Sequence, residues 1–500
     1  MFPKPLPSIK LNTVEFEITP QVKPTGFREY DARWRFPEEI NLLGIQVLGQ
    51  GLGTLLHRLG ITPPAIVVGH DYRAYSLSIK QALTLGLMSA GCDVHDIGLA
   101  LSPMAYFAQF ELDVPGVAMV TASHNNNGWT GVKMGCNAPL TFGPDEMSQL
   151  KQIVLEGDLD IRGGGHYRFV PDFIDTYLAA LTDRPKLTRP LRVVAASGNG
   201  TAGAFAPRAL TAIGAEVIPL NAQLDYNFPN HNPNPEDLKM LNAVRDRVLA
   251  TKADVGLAFD GDGDRCGVID NEGEVIFADK IGVLLARDFS ARFENAKFVV
   301  DVKSTGLFET DPVLIANGAT TEYWKTGHSY IKRRSHETGA LAGFEKSGHY
   351  FFNEPIGKGY DDGIAAGFAV LDMLDRNPGK TMADLRRELP LTWQSPTMSP
   401  HCRDEDKYGI VDKVVAHFEA IVAAGEKIAG QNVRQAITIN GIRIVLEDGT
   451  WGLIRASSNT PNLVVVCESP TSDDNMRAMF AVIDAHLSQY DEIGEYDQKI

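Results

Sequence analysis

Cysteine is scarce in this chain of 500 residues. Cys92, Cys136, Cys266, Cys402 and Cys467 are scattered, odd in number and form no CxxC pair. Such a set builds neither a disulfide framework nor a zinc knuckle, and it points to a reducing compartment. Positive charge is also short: 47 Lys and Arg against 63 Asp and Glu leave a net charge of -16. That deficit argues against non-specific binding to nucleic acid or to an anionic membrane. An anionic substrate stays compatible if its positive site is local, built from Arg, Lys and helix N-termini. Long apolar runs are missing as well, none approaching the ~20 residues of a membrane span. The stretch MFPKPLPSIK carries no apolar signal core, so a soluble cytoplasmic protein is expected.

What is present is ordinary globular composition, 44% apolar and 22% charged, in a chain too long for one core. Apolar strand-like runs alternate with amphipathic stretches. AIVVGHD (65–71) reads as a strand, SLSIKQALTLGLMSAG (76–91) as a helix closed by Gly91, and CDVHDIG as the next strand. LRVVAASGNGTAG (191–203), ADVGLAFDGDGDR (253–265) and KFVVDVKSTG (297–306) repeat the plan of strand, small polar loop, then helix. Such alternation predicts α/β layers with mostly parallel sheets and functional loops at strand C-termini. GGGHYRFVPDFIDTYLAAL (163–181) reads as a helix leading out of the first block. Beyond about residue 390 the pattern shifts to a helix at 411–424, strands around ITINGIRIVLEDGTWGLIRASS and NLVVVCES, and a helix at 473–488. A small α+β domain is expected there, with a fraying polar tail, DEIGEYDQKI. Four domains follow, at 1–171, 172–274, 275–389 and 390–500.

FDGDGDR (259–265) carries the sharpest chemistry. Asp260, Asp262 and Asp264 alternate with glycines after an apolar strand, so three carboxylates can converge, at a cost that a cation offsets. Oxygen ligands favour Mg²⁺ or Ca²⁺. An EF-hand is excluded, because its sixth and twelfth positions are Arg265 and Asn271. The alternative is a solvated acidic turn. Arg265 beside the loop suits a phosphoryl oxygen, or else pairs with one of the aspartates. In VTASHNNNGWTGVK (120–133) an apolar strand stops at Ser123 and His124. With no GxSxG elbow, an acyl hydrolase is a poor reading. A serine facing an acidic metal loop can instead carry a phosphoryl group. GFEKSGHYFF offers Glu345, Ser347 and His349, groups that bind sugar hydroxyls or phosphate, or simply line a turn. LIRASSNTPN gathers Arg455, Ser457, Ser458, Asn459 and Thr460, a phosphate nest or a capped turn. Lys133, Lys303, Lys325, His328 and Lys332 are basic residues near these loops, each by itself a solvated surface charge.

Taken in order, GFREYDARW, TASHNNNGWTGVK, FDGDGDR, DVKSTG, KTGHSYIK, GFEKSGH and RASSNTP resemble the α-D-phosphohexomutases, and most the bacterial phosphomannomutase/phosphoglucomutase branch. The resemblance implies three related α/β domains with mixed, mostly parallel sheets, plus a C-terminal α+β domain, around a central cleft. It implies an isomerase in which Ser123 is a phosphoserine and Mg²⁺ is held by Ser123, Asp260, Asp262 and Asp264. A hexose phosphate would pass through a 1,6-bisphosphate that reorients, and glucose or mannose 1,6-bisphosphate would act as activator. Arg33, Lys133 and His349 would assist proton transfer and charge stabilisation, the general base being one of the three. Tyr30, His124, Arg265, Lys303, His328, Glu345, Ser347 and His349 would bind substrate. Arg455, Ser457, Ser458, Asn459 and Thr460 would hold the non-transferring phosphate. A monomer is expected, with a dimer as the alternative.

The chain departs from the family pattern at several points. Ala32 and Trp34 stand where Ile and Gly are usual around Arg33, Asn126 and Asn127 replace two prolines, and Phe344 replaces a glycine. The 390–440 region is longer than is typical. Phosphoglucosamine mutases usually have Gln where this chain has Lys346, which ranks that activity second. A metal-dependent sugar-phosphate phosphatase and a non-catalytic sugar-phosphate binder are the readings from other classes.

Overall fold

The computed structural model describes residues 3–62 and 64–500, which divide into two compact units: those up to 281 with 347–383, and 282–346 with 384–500. The first unit opens with a six-stranded sheet in the order Asp31–Arg35, Trp129–Cys136, Gly116–Val120, Ala65–His70, Asp93–Leu99, Tyr167–Phe169. From Gly116–Val120 outward to Tyr167–Phe169 the strands are parallel, while Trp129–Cys136 runs antiparallel to both of its neighbours. The second sheet repeats this layout in the order Val275–Ile276, Cys266–Asp270, Val255–Phe259, Arg192–Ala196, Glu216–Leu220. Here too the last pairs are parallel and the Val255–Phe259/Cys266–Asp270 pair is an antiparallel hairpin.

The hairpins refine the expectation of strand, loop, helix. FDGDGDR is followed by the strand Cys266–Asp270 and not by a helix. A loop this short cannot hold the crossover that a parallel return needs, so the chain turns back antiparallel. The Ser123 loop and the acidic loop thus occupy the same place in two sheets, each at the tip of the hairpin that follows a buried parallel strand.

Close packing positions the first sheet. Asn41 caps the helix Leu42–Arg58, its side chain accepting from Gly44 N at 2.8 Å. The glycines of LGQGLG let that helix press on the helix Ser76–Ser89: a Cβ at Gly49 would lie 2.3 Å from Leu83 O. Leu48, Leu52, Leu55 and Leu56 bury in the core beneath, with Val68, Ala118 and Val132.

In the second unit, Thr320–Trp324, Lys297–Asp301 and Ala342–Phe344 lie parallel in that order. A separate antiparallel sheet runs Trp393–Gln394, Leu463–Ser469, Trp451–Ala456, Ile442–Leu446, Val433–Ile437, backed by the helices Lys407–Ala424 and Asp473–Leu487. The C-terminal part is α+β, as its pattern implies.

Two expectations are corrected. Residues 163–181 do not form one helix: Tyr167–Phe169 is a strand and the helix spans Phe173–Thr182. Gly163 and Gly164 take φ of 66° and 77°, outside the helical region, and Pro171 cannot continue a helix begun before it. The tail does not fray throughout either, since Ile493–Tyr496 pairs with Pro400–Cys402. No helix among the described residues is long and apolar enough to cross a membrane.

Candidate active site

The Ser123 loop begins where the fully buried strand Gly116–Val120 ends. Ser123 adopts φ 51°, a left-handed conformation that a serine holds only when its surroundings impose it. Those surroundings come from the loop after Ala65–His70. Asp71 accepts from Thr121 Oγ1 at 2.9 Å and from Ser76 Oγ at 2.5 Å, and it pairs with Arg73. Arg73 Nη2 donates to the Ser123 carbonyl at 3.0 Å and to that of Asn125 at 2.6 Å, while Ser123 N donates to Thr121 Oγ1 at 2.8 Å. The Ser123 N–H and the carbonyls of Ser123 and Asn125 thus each have a fixed partner, which fixes the direction of the hydroxyl.

It is aimed at the acidic loop: Ser123 Oγ donates to Asp260 Oδ2 at 3.1 Å. Asp260, Asp262 and Asp264 are fully buried, each offering an oxygen within 4.8 Å of the others'. Gly261 lets the two loops touch, since a Cβ there would sit 2.4 Å from Ser123 O. Two side chains offset part of the negative charge. Lys133 reaches Asp262 Oδ2 at 2.7 Å and also pairs with Asp264 Oδ2, and Arg265 Nε donates to Asp260 Oδ2 at 3.0 Å. Burial and the neighbouring Asp264 push the Asp260 carboxyl up. Burial also acts to raise Asp262, but the ion pair with Lys133 and hydrogen bonds from Lys133 and Ser102 outweigh it and hold that carboxyl low. For Lys133, burial works against the charge, yet Asp262 and Asp264 win and raise its pKa well above the usual lysine range.

Asp262 Oδ1 and Asp264 Oδ1 are buried with no hydrogen-bond partner. Two orphaned carboxylate oxygens beside a third carboxylate are costly without a cation and form the donor set of a hard divalent ion, so these residues fit such a metal.

Around this centre, Arg33 donates to Asp31 Oδ2 at 2.8 Å and to Asn125 Oδ1 of the serine loop at 2.8 Å. Trp34, where a glycine is usual, points to the opposite face of its strand, as alternation requires. It is fully buried, donates to Lys23 O at 2.8 Å, and covers Gly26, leaving Arg33 undisturbed. Tyr30 is buried beside Arg33. His124 Nδ1 lies 3.2 Å from Ser123 Oγ. Burial, then the charges of Arg265 and Arg33, push its pKa well below the usual histidine value. His349 Nδ1 is 2.9 Å from Asp361 Oδ2 and 3.8 Å from Asp264 Oδ1, and His349 bridges to Arg265 through the backbone.

A second cluster forms in the other unit. Asp301 gathers Ser304 Oγ at 2.6 Å, Thr326 Oγ1 at 3.1 Å and Lys303 Nζ at 3.8 Å. Asn440 Oδ1 accepts from Arg455 Nε at 2.7 Å and from Thr326 N at 3.3 Å, so KTGH and RASSNTP meet at one amide. Arg455 also reaches Ser458 Oγ at 3.0 Å, and Ser457 Oγ lies 2.8 Å from Thr460 Oγ1. Asn459 is half-buried, Thr460 exposed, and His328 and Glu345 buried. Glu345 and Lys346 belong to this unit, whereas Ser347 and His349 belong to the first.

Sequence reasoning missed Asp71, Arg73, Ser102, Asp361, Asp301 and Asn440. Asp71 and Asp301 sit at strand ends, the position where functional loops are expected. Nothing local marks the others.

Residues 24–160 match the phosphoglucomutase/phosphomannomutase α/β/α domain I, 172–273 domain II, 277–392 domain III and 403–486 the C-terminal domain. A phosphomannomutase/phosphoglucomutase of Pseudomonas syringae is 35% identical over 91% of this chain and 93% of its own. A phosphoglucomutase of Neisseria meningitidis is 32% identical over 89% and 93%. A solved phosphoglucomutase/phosphomannomutase family protein from Burkholderia thailandensis superposes with a TM-score of 0.83 at 31% identity, covering 94% of this chain and 98% of that one. With its four domains matched in order, the chain belongs to the phosphoglucomutase/phosphomannomutase family of α-D-phosphohexomutases.

Proposed function

We propose that this chain reversibly moves a phosphoryl group between C1 and C6 of a hexose phosphate, converting glucose or mannose 1-phosphate to the 6-phosphate through phosphorylated Ser123. The observation that carries this is Ser123 itself, held in a left-handed turn with its Oγ 3.1 Å from a buried three-carboxylate loop. Four domains, 1–171, 172–274, 275–389 and 390–500, carry one loop set each.

Asp260, Asp262, Asp264 and the phosphoserine would hold Mg²⁺, which when bound supplies positive charge on the phosphoryl oxygens. Arg33, Lys133 and Arg265 neutralise charge around the transferring group, and His124 lies close enough to contact it. His349, fixed by Asp361 through Nδ1, is the side chain we assign to assist proton transfer from the sugar hydroxyl. In the forward half, the bond from phosphorus to Ser123 Oγ breaks as the sugar oxygen forms its own. The sugar hydroxyl loses one proton and Ser123 Oγ gains one. The resulting 1,6-bisphosphate turns over, and the reverse exchange returns the other phosphoryl to Ser123. Glu345 and Ser347 would hold sugar hydroxyls, and Tyr30, Lys303 and His328 would also bind substrate. Arg455, Ser457, Ser458, Asn459 and Thr460 would hold the phosphate that does not transfer. Positioning and charge neutralisation carry such chemistry. The five cysteines, all free, are in keeping with a reducing, cytoplasmic compartment.

With Mg²⁺ and a trace of glucose 1,6-bisphosphate, the purified protein is expected to interconvert glucose 1-phosphate and glucose 6-phosphate. Ser123→Ala should lose nearly all turnover while keeping its circular dichroism. Release of inorganic phosphate without isomerisation would point to a phosphatase, and a faster rate on glucosamine 1-phosphate to a phosphoglucosamine mutase. Near-normal turnover of Ser123→Ala would remove the phosphoserine.

A further inference from the structure

We infer that Ser102, a residue remote from every catalytic motif in the sequence, is a positioning residue for the metal-binding carboxylates. The inference rests on the reading that Asp260, Asp262 and Asp264 hold a divalent cation.

Ser102 is the first residue of the helix Ser102–Glu111 and is fully buried. It grips Asp262 twice. Its Oγ donates to Asp262 Oδ2 at 2.6 Å, and its backbone N donates to the Asp262 carbonyl at 3.0 Å. The second bond uses an N–H that a helix start leaves without an intrahelical partner. Leu101, the preceding residue, fills the space beside Gly263, which takes φ 75°; a Cβ there would meet the leucine side chain at 2.9 Å. The helix start therefore holds the acidic loop at a carbonyl, a carboxylate and a glycine.

The consequence lies in which oxygens stay free. Lys133 takes Oδ2 of both Asp262 and Asp264, and Ser102 takes the same Oδ2 of Asp262. The orphaned atoms are Oδ1 of Asp262 and Oδ1 of Asp264. Lys133 alone leaves the Asp262 carboxylate free to swing about its terminal bond, because one flexible ammonium ion can follow it. The hydroxyl of Ser102, a second donor at the same oxygen held by a helix start, fixes the plane of that carboxylate. It locks one oxygen into the protein and leaves the other directed at the cation. Groups that orient metal ligands in this way typically change metal affinity 10–100-fold when removed.

The experiment titrates Mn²⁺ into metal-stripped protein and follows free Mn²⁺ by electron paramagnetic resonance, with no substrate and no turnover. Ser102→Ala should weaken Mn²⁺ binding about tenfold or more. Ser102→Thr, which keeps the hydroxyl, should restore it, and Ser102→Cys, a poor donor, should fall between. Asp262→Asn is the control for the metal reading. If wild type and Asp262→Asn bind Mn²⁺ alike, the carboxylates are not the metal site and the inference falls with that reading. If Asp262→Asn loses the ion but Ser102→Ala and Ser102→Cys bind as wild type does, Ser102 positions nothing. Should Ser102→Ala fail to fold, the comparison of Thr with Cys decides by the same criterion.

Discussion

Asp362 illustrates how one residue couples burial to pH. Its Oδ1 caps the helix Gly363–Arg376, accepting from Ile364 N at 2.9 Å and Ala365 N at 3.0 Å, while its Oδ2 accepts from Tyr177 at 2.6 Å. Burial pushes the carboxyl up to about 6 from an ordinary 3.8, against those hydrogen bonds. Between about pH 4 and 6 the folded chain keeps a proton that the unfolded chain has lost, so stability falls as pH rises through that window. Asp362→Asn keeps the cap and removes the titration. Its stability relative to wild type, from urea unfolding, should improve between pH 4 and pH 7 by up to about 3 kcal/mol. Parallel pH profiles for the two proteins would refute this. At Ser123 the same scale explains an outlier: Asp71 and Arg73 impose a backbone conformation that serine alone avoids.

At the scale of elements, the serine loop and the acidic loop are equivalent hairpin tips, and glycine lets them meet. Gly200 approaches Gly261 so closely that a Cβ would lie 2.9 Å from its Cα, and Thr201 N donates to Gly261 O at 3.0 Å. The loop SGNGTAG therefore props the acidic loop from behind while Gly261 touches Ser123 in front. Gly261→Ala should displace one loop by about 1 Å and cut turnover about 100-fold. Gly318→Ala provides the contrast: with φ 68° and nothing within 4 Å, it should lose about 1 kcal/mol of stability and no activity. Equal activity losses in both would show that the contact at Gly261 has no special role.

At the scale of the whole molecule, each unit has its own organising charges. In the first these are Lys133 and Arg265 within the carboxylates. In the second, Arg443 is buried between the rings of Tyr323 at 4.2 Å and Trp451 at 3.7 Å, and donates to the carbonyls of Val302 at 2.8 Å and Ser304 at 2.6 Å. It thereby fixes the loop bearing Lys303 from a strand two residues in register from Arg455. Arg443→Ala leaves two carbonyls and an aromatic slot empty, a loss of about 3 kcal/mol. Hydrogen exchange should quicken in 302–305 and 442–455 and stay unchanged in 116–136 and 255–270. Faster exchange in both sets would mean that the two units do not unfold independently.

The sequence by itself determined the strands, the α/β order, the α+β C-terminal part and the loops that hold the reactive side chains. Each is a local matter of apolar periodicity, glycine and a polar break. What it did not determine were the hairpin returns, the strand at 167–169, and the partners that orient the site. Arg73 acts on a carbonyl 50 positions away and Ser102 on a carboxylate 160 positions away. Those pairings exist only once the sheets bring loop tips together. Only the tertiary structure could therefore decide which oxygens of Asp262 and Asp264 are locked in the protein and which are left for a cation.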